Sequence, residues 1–345
     1  MIKSAVVILN WNGLKFLQEF LESVVRYTAS NNTVVYVADN GSTDGSADWI
    51  SKNFKDVRII RFESNYGFAG GYNRAFKLID ATYYVLLNSD VMVTEGWLNH
   101  MAEFMDKNPD VASCQPKIRS FRKKDHFEYA GAAGGYIDKY GYTFCRGRIF
   151  ENIEKDFGQY DDFKDIFWST GACMMVRSEA WTKCGGLDSD FFAHMEEIDL
   201  CWRFRLAGYR ISYIPGSTVY HVGGGTLPYD SVQKTYLNFR NNLFLLYKNL
   251  PDNKLHRIIL ARKILDGLAA IRFIFIGRPA NVKAIWKAHI DFYKNIKTLK
   301  EKRKLTRDLT ITKTGGHLVN KSIVFRFYIR GEKTFSSLKI QNGLI

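Results

Sequence analysis

A chain of 345 residues with 46% hydrophobic content is long enough to bury a large core and too apolar to be disordered, and its length suggests about two domains. Its net charge of +14 is unevenly spread: residues 1–251 hold 28 Lys and Arg against 29 Asp and Glu, while residues 252–345 hold 21 against 6. The excess therefore belongs to the C-terminal part and suits an anionic surface, either membrane lipid or nucleic acid.

The amino terminus runs directly into Ser4–Asn10, an apolar stretch predicted as a first strand with no signal-peptide pattern ahead of it. Helix-like and strand-like runs then alternate: helix about 14–28, strand 33–38, helix about 45–54, strand 57–61, helix about 69–80, strand 82–87. Strands separated by helices of that length predict parallel βαβ units with right-handed crossovers. A polar turn follows each strand: Asn10-Trp11-Asn12-Gly13, Asp39 to Gly45, Asn65 to Gly71, and Asn88-Ser89-Asp90. All four would line one edge of the sheet, where open parallel sheets bind ligands, and Asp90 is placed there to hold a hard cation on oxygen.

Asp39 can accept a hydrogen bond from the imide N–H of uracil or thymine, although Asp-Asn-Gly-Ser is equally good turn chemistry. The Gly67-Phe-Ala-Gly-Gly71 run opens a helix and could turn amide N–H groups toward a phosphate. It lacks G-x-G-x-x-G spacing, which counts against a dinucleotide site.

Residues 116–167 suggest hairpins or an insertion. A strand is predicted at 171–176, a helix at 196–206, short strands at 210–214 and 217–221, and a helix at about 231–249 ending before Pro251. Glu196, Glu197 and Asp199 open their helix; Asp199 can pair with Arg203 at i,i+4, and a neighbouring acid can serve as a general base. His221 closes a strand ahead of Val222-Gly-Gly-Gly-Thr226; a lone histidine is usually structural, yet imidazole is a common metal ligand and the glycines would let the loop gate a phosphate site. The apolar runs Ile258–Leu265 and Ile271–Ile276 are interrupted by Arg262, Lys263, Asp266 and Arg272, which argues against a spanning helix. These runs, and a basic helix at about 280–304, either lie on a membrane surface or pack on the rest of the chain. Five cysteines without a C-x-x-C pair suggest neither a disulfide framework nor a zinc knuckle, so a reducing cytosol is the simplest setting.

Taken together, Asn10-Trp-Asn-Gly13, Asp39-Asn-Gly-Ser-Thr-Asp-Gly-Ser46, Asn65-x-Gly-Phe-Ala-Gly-Gly-x-Asn73, Leu87-Asn-Ser-Asp90, Thr170-Gly-Ala-Cys173, Glu196-Glu-x-Asp-Leu-Cys-Trp-Arg203 and His221-Val-Gly-Gly-Gly-Thr226 resemble the family 2 inverting glycosyltransferases, nearest to bacterial rhamnosyltransferases. The resemblance spans about residues 3–250. It implies an α/β GT-A nucleotide-diphospho-sugar transferase fold, a Rossmann-like mixed sheet flanked by helices, over 1–250, with a basic, mainly helical extension over 251–345. It implies Mg2+ or Mn2+ on Asp90 and His221, and Glu197 as catalytic base with Glu196 beside it. Asn10, Trp11, Asn12, Asp39, Asn65, Gly70, Gly71, Asn73, Asn88 and Ser89 would line the nucleotide-sugar pocket. Trp168, Thr170, Gly171 and Arg240 would face the acceptor, bordered by Tyr236, Phe239 and Tyr247.

Two departures stand out: the first acid of the D-x-D motif is Asn88, and the usual Glu-Asp pair reads Glu196-Glu197. The implied reaction moves a sugar, rhamnose first, from a dTDP- or UDP-sugar to a saccharide or lipid-linked saccharide in cell-surface polysaccharide synthesis. The implied place is the inner face of the plasma membrane, on anionic lipid, with no nucleic-acid partner expected. The rival readings are a nucleic-acid-binding protein using the basic tail, a nucleotide-sugar hydrolase and, more weakly, a nicotinamide dehydrogenase.

Overall fold

The computed structural model describes residues 2–28, 32–223, 231–312 and 318–340. Strand β1 (Ile2–Asn10) turns Ala5 and Val7 to one face and Val6 and Ile8 to the other, and all four are buried. A strand covered on both faces must be apolar on both, which is why its sequence does not alternate. Helix α1 (Leu14–Thr28) covers one face with Leu17, Leu21 and Val24, spaced four and three apart. The alternation continues through β2 (Thr33–Asp39), α2 (Ser46–Asn53), β3 (Arg58–Arg61), α3 (Gly67–Phe76) and β4 (Ala81–Leu87). β1 pairs in parallel with β2 and β4, and β2 with β3.

The second half adds β5 (Val91–Val93), α4 (Trp97–Lys107) and β6 (Val111–Ser120). The stretch expected to form hairpins does so as an antiparallel sheet of β7 (Gly135–Ile137), β8 (Thr143–Cys145), β9 (Arg148–Ile149) and β10 (Asn152–Ile153). Then come β11 (Lys164–Asp165), β12 (Cys173–Arg177), α5 (Ser178–Lys183), α6 (Glu196–Leu206) and β13 (Arg210–His221). The main sheet runs β11-β13-β6-β12-β4-β1-β2-β3, with β5 against β13. β12 lies antiparallel between β4 and β6, so the sheet is mixed.

Four helices follow closely: α7 (Val232–Asn249), α8 (Asp252–Phe275), α9 (Pro279–Lys294) and α10 (Ile296–Leu309), with the short α11 (Ile323–Tyr328) beyond. Several boundaries differ from those expected. The two strands at 210–214 and 217–221 are one, β13, because a register shift between Ile214 and Thr218 absorbs the irregular stretch without ending the pairing to β6. The interrupted apolar stretch of the tail forms a single helix as expected, α8, with Arg262 and Asp266 on its inner face and paired at 2.7 Å. The basic helix expected at 280–304 is two, broken at Asn295, whose side-chain amide donates to the Asp291 carbonyl at 2.8 Å. All five cysteines are buried and unpaired.

Candidate active site

Strand pairing alone delivers the expected residues to one edge. Asn10 lies opposite Asp39 at the ends of β1 and β2, and Ile8 opposite Leu87, which places Asn88-Ser89-Asp90 just past the neighbouring strand end. Val91 pairs with His221 across β5 and β13, so residues 130 positions apart in sequence become neighbours. His221 Nε2 stands 3.1 Å from Asp90 Oδ1, and Asn88 Nδ2 stands 3.4 Å from the same ring nitrogen.

The other ring nitrogen, Nδ1, stands 3.1 Å from Oε2 of Glu128, a buried acid in the segment between β6 and β7 that no motif marks. Burial alone would lower the His221 pKa, but the Glu128 and Asp90 charges raise it to about 10. Burial likewise works against ionised Asp90, and the imidazolium beside it more than offsets this and lowers its pKa. With His221 neutral, the two carboxylates leave two negative charges and one open imidazole nitrogen.

That donor set fits a divalent cation. A metal-bound histidine characteristically gives its other N–H to a carboxylate, and Glu128 is in place to take it. Among the described residues no group of three or more His, Cys, Asp or Glu is disposed to hold a metal. Asp90 and His221 would thus supply two donors, with the remainder left to substrate oxygens and water.

The expected base lies close by through a short chain of contacts. The Asn88 N–H donates to the Ala172 carbonyl at 3.0 Å. A methyl group on the preceding Gly171 would come within 3.9 Å of Glu197 Cβ and 2.9 Å of the Phe68 ring, so the bare backbone lets Phe68 pack against it. Glu196 and Glu197 begin α6, and each leaves a buried Oε2 without a hydrogen-bond partner. Burial pushes the Glu197 carboxyl up to about 7, against the pull of helix-start N–H groups. Burial and the charge of Glu197 push Glu196 well above the ordinary range.

Asp199 takes the structural role: Arg203 at 2.9 Å, Lys248 at 2.9 Å and Asn249 at 2.8 Å surround its carboxylate. The residues before α6 carry unusual backbone. Phe192, His194 and Met195 all have positive φ, at 63°, 69° and 75°, a costly arrangement for non-glycine residues. Asn241 of α7 holds it in place, donating to the carbonyls of Phe191, Ala193 and His194 at 2.8–2.9 Å.

The remaining expected residues divide by what they touch. Asn10 is fully buried, with its amide donating to Ser42 and Ser46 at 3.1 and 2.8 Å and its Oδ1 unpartnered. Asn12 accepts from the Thr43 N–H at 2.8 Å and Trp11 is 50% exposed beside it. Asp39 is buried next to Asn10. Asn65 accepts from Asn40 at 2.9 Å and from the Gly67 N–H at 2.8 Å, tying the second turn to the third. Ser89 Oγ lies against Gly13.

Other residues are spent on the scaffold. Gly71 permits close packing, since a Cβ there would meet Leu9 at 2.6 Å, and one on Gly70 would meet Tyr66 at 3.1 Å. Both amide ends of Asn73 bind the Leu187 backbone. Trp168 is 3% exposed and its indole N–H is given to the Tyr136 carbonyl, so it packs in the core. The Thr170 N–H goes to Gln115 at 3.0 Å. Arg240 donates to the Asp190 and Phe191 carbonyls at 3.0 Å each. Tyr236 binds Asp291 at 2.7 Å and Tyr247 packs on Phe292, which ties both to α9. Of the expected gating loop, Gly224 to Thr226 lie outside the described residues.

The family model for glycosyl transferase family 2 matches residues 5–184, which carry every strand end named above except that of β13. The chain belongs to glycosyl transferase family 2. This family 2 enzyme is 26% identical over 234 residues to the N-acetylglucosaminyl-diphospho-decaprenol L-rhamnosyltransferase of Mycobacterium tuberculosis (strain ATCC 25618 / H37Rv), covering 63% of this chain and 75% of that protein. Its fold is shared with GalNAc-T7, solved with UDP, GalNAc and Mn2+, at a TM-score of 0.57 and 15% identity over 74% of this chain and 49% of that one. The S. aureus TarS 1-349 structure with UDP-GlcNAc superposes at 0.55 and 15% identity over 89% of both chains. The glycosyltransferase thus has a mixed α/β fold of the nucleotide-sugar transferase kind with a helical C-terminal extension.

Proposed function

We propose that the chain is an inverting transferase of the GT-A type that moves a sugar, rhamnose first, from a dTDP- or UDP-sugar to a lipid-linked saccharide during cell-surface polysaccharide synthesis. The observation that carries this reading is the contact chain from His221 through Asn88, Ala172 and Gly171 to Glu197. It supports a reading in which a pole for the donor diphosphate stands near a carboxylate that can take a proton. The rhamnosyl and lipid-linked parts rest on the mycobacterial relative, whose name gives it both.

In this reading Asp39 accepts the imide N–H of uracil or thymine, and Asn10, Asn12 and Asn65 hold the turns around the nucleotide. Mg2+ or Mn2+ held by Asp90 and His221 would neutralise the departing diphosphate. Glu128 fixes the His221 ring. Glu197, with a pKa near 7, takes the proton of the acceptor hydroxyl as that oxygen attacks the anomeric carbon from the face opposite the diphosphate. Burial and the neighbouring Glu197 charge also raise the Glu196 pKa, which disfavours a second charge beside it. The decisive assay incubates the protein with Mn2+ and a panel of dTDP- and UDP-sugars and follows nucleotide release with and without a lipid-linked saccharide. Acceptor-dependent release supports transfer. Equal release without acceptor supports hydrolysis instead.

We also place the enzyme on an anionic membrane surface. No helix among the described residues is long and apolar enough to cross a bilayer. Yet α8 is apolar on its outer side: its packed face holds Leu255, Ile258 and the Arg262–Asp266 pair, while Leu260, Ile264, Leu268, Ile271 and Phe275 point outward. Spaced four, four, three and four apart, they form one stripe. Trp286, Ile290 and Tyr293 extend the apolar surface on α9, among the basic residues of this part of the chain. Apolar stripe plus basic flank is the composition of an interfacial helix.

A further inference from the structure

A groove of about 1110 Å³ begins at Glu128, Val222 and Gly223, directly behind the Asp90–His221 pair. Val222 is tied to that pair by its N–H, which donates to the Asp90 carbonyl at 3.1 Å. The groove runs past Phe239, Ala269 and Phe273 and ends at Leu268 and Arg272 of α8. Leu268 is also a member of the outward stripe, 58% exposed, so groove and stripe form one continuous apolar surface.

Its polarity is graded. Arg122, Lys123 and Lys234 line it with Glu128, and Arg122 and Lys123 follow Phe121, whose N–H donates to the His221 carbonyl. Three of the four Lys and Arg side chains that line the groove thus stand at the reaction end, and the fourth, Arg272 at the far end, donates to the Tyr328 hydroxyl at 3.1 Å. Ordinary ligand sites hold roughly 300–1,000 Å³, so this groove has room for more than a single sugar. A water-soluble acceptor would gain nothing from a Phe and Ala wall that opens onto an apolar helix face. A second groove, of about 1240 Å³ beside β11, touches none of the residues placed in the reaction and shows no such gradient toward the site.

We propose that this groove receives the isoprenoid phosphate of the acceptor, with phosphate at the Arg122, Lys123 and Lys234 end and the chain along Phe239, Ala269 and Phe273 to the stripe. The proposal rests on the lipid-linked reading above and names the surface that serves it. A membrane-held lipid would then reach the diphosphate pole without leaving the bilayer entirely.

The test titrates farnesyl monophosphate into the full-length protein by calorimetry, with inorganic phosphate as the tail-free control. Farnesyl monophosphate should bind at least about tenfold more tightly than phosphate. Ala269→Trp, which fills the groove, should weaken it by a similar factor while dTDP or UDP binding is unchanged. Equal binding of the two probes, or wild-type affinity in a folded Ala269→Trp, overturns the proposal. A benzophenone-bearing isoprenyl phosphate gives a readout that needs no variant: crosslinks to groove-lining residues such as Phe150, Phe239, Ala269, Phe273 or Tyr328 support the groove, and crosslinks confined outside its lining overturn it. Self-association abolished by Ala269→Trp would assign the groove to a second copy and also overturn it. Sugar transfer to a lipid-free saccharide, with no farnesyl monophosphate binding, removes the groove and leaves the transferase. Binding without transfer to any acceptor supports the groove and removes the transferase reading.

Discussion

Glu197 carries the sharpest consequences because its Oε2 is buried and, among the described residues, has no hydrogen-bond partner. Glu197→Gln should retain nucleotide binding by calorimetry and lose turnover by roughly 10²–10⁴-fold, the range of a lost general base. Wild-type turnover should rise as pH passes through about 7, since only the deprotonated form accepts the proton. The same raised pKa has a stability sign. Folding disfavours the ionised form, so no stability is lost below the unfolded pKa of about 4.5, and the loss grows as pH rises to about 7. Thermal melts should therefore show Glu197→Gln gaining over wild type as pH increases across that window. Glu128→Ala frees His221 to rotate, and Mn2+ affinity by calorimetry should fall about 10–100-fold. Asp90, His221 and Glu197 are legible as candidates because each stands at or just past the end of a strand, or at the start of a helix, within a motif. Glu128 is not, because it sits in a loop segment whose neighbours carry no chemistry, and only its distance to His221 reveals it.

Local periodicity marked the early elements well: α1 has the expected bounds, and β1 to β4 begin and end within about two residues of them. What periodicity missed was decided by contacts distant in sequence. β13 stays one strand because β6 pairs with it on both sides of the register shift, and the inward charges of α8 are matched by each other and by His289. Likewise, a sequence pattern gives no sign that Asn241 of α7 holds the carbonyls ahead of Glu196. Asn241→Ala removes three hydrogen bonds to a backbone already held at positive φ. We expect a loss of about 1–3 kcal/mol in denaturant unfolding. The base should shift with the released segment, so kcat should drop while nucleotide affinity holds.

Across the whole molecule, the partition of charge marked the C-terminal helices as different before any coordinates existed, and the outward stripe on α8 gives that difference a direction. Ile264 and Phe275 are both mostly exposed, at 60% and 84%. Replacing both with Glu should leave the melting temperature near that of wild type and abolish flotation with anionic vesicles; wild-type flotation should also weaken with added salt. Unaltered flotation in the double variant would exclude the stripe as the contact. Composition could not show that these helices also support the reaction side. Lys248 of α7 and Lys302 of α10 both grip Asp188, and Lys302 reaches Asp190 at 2.6 Å, within the stretch that leads to Glu196. This clasp makes the enzyme a poor candidate for module swapping: a chimera that takes its last hundred residues from a distant cousin would lose the lysines that grip Asp188 and, with them, the seat of the segment ahead of Glu196.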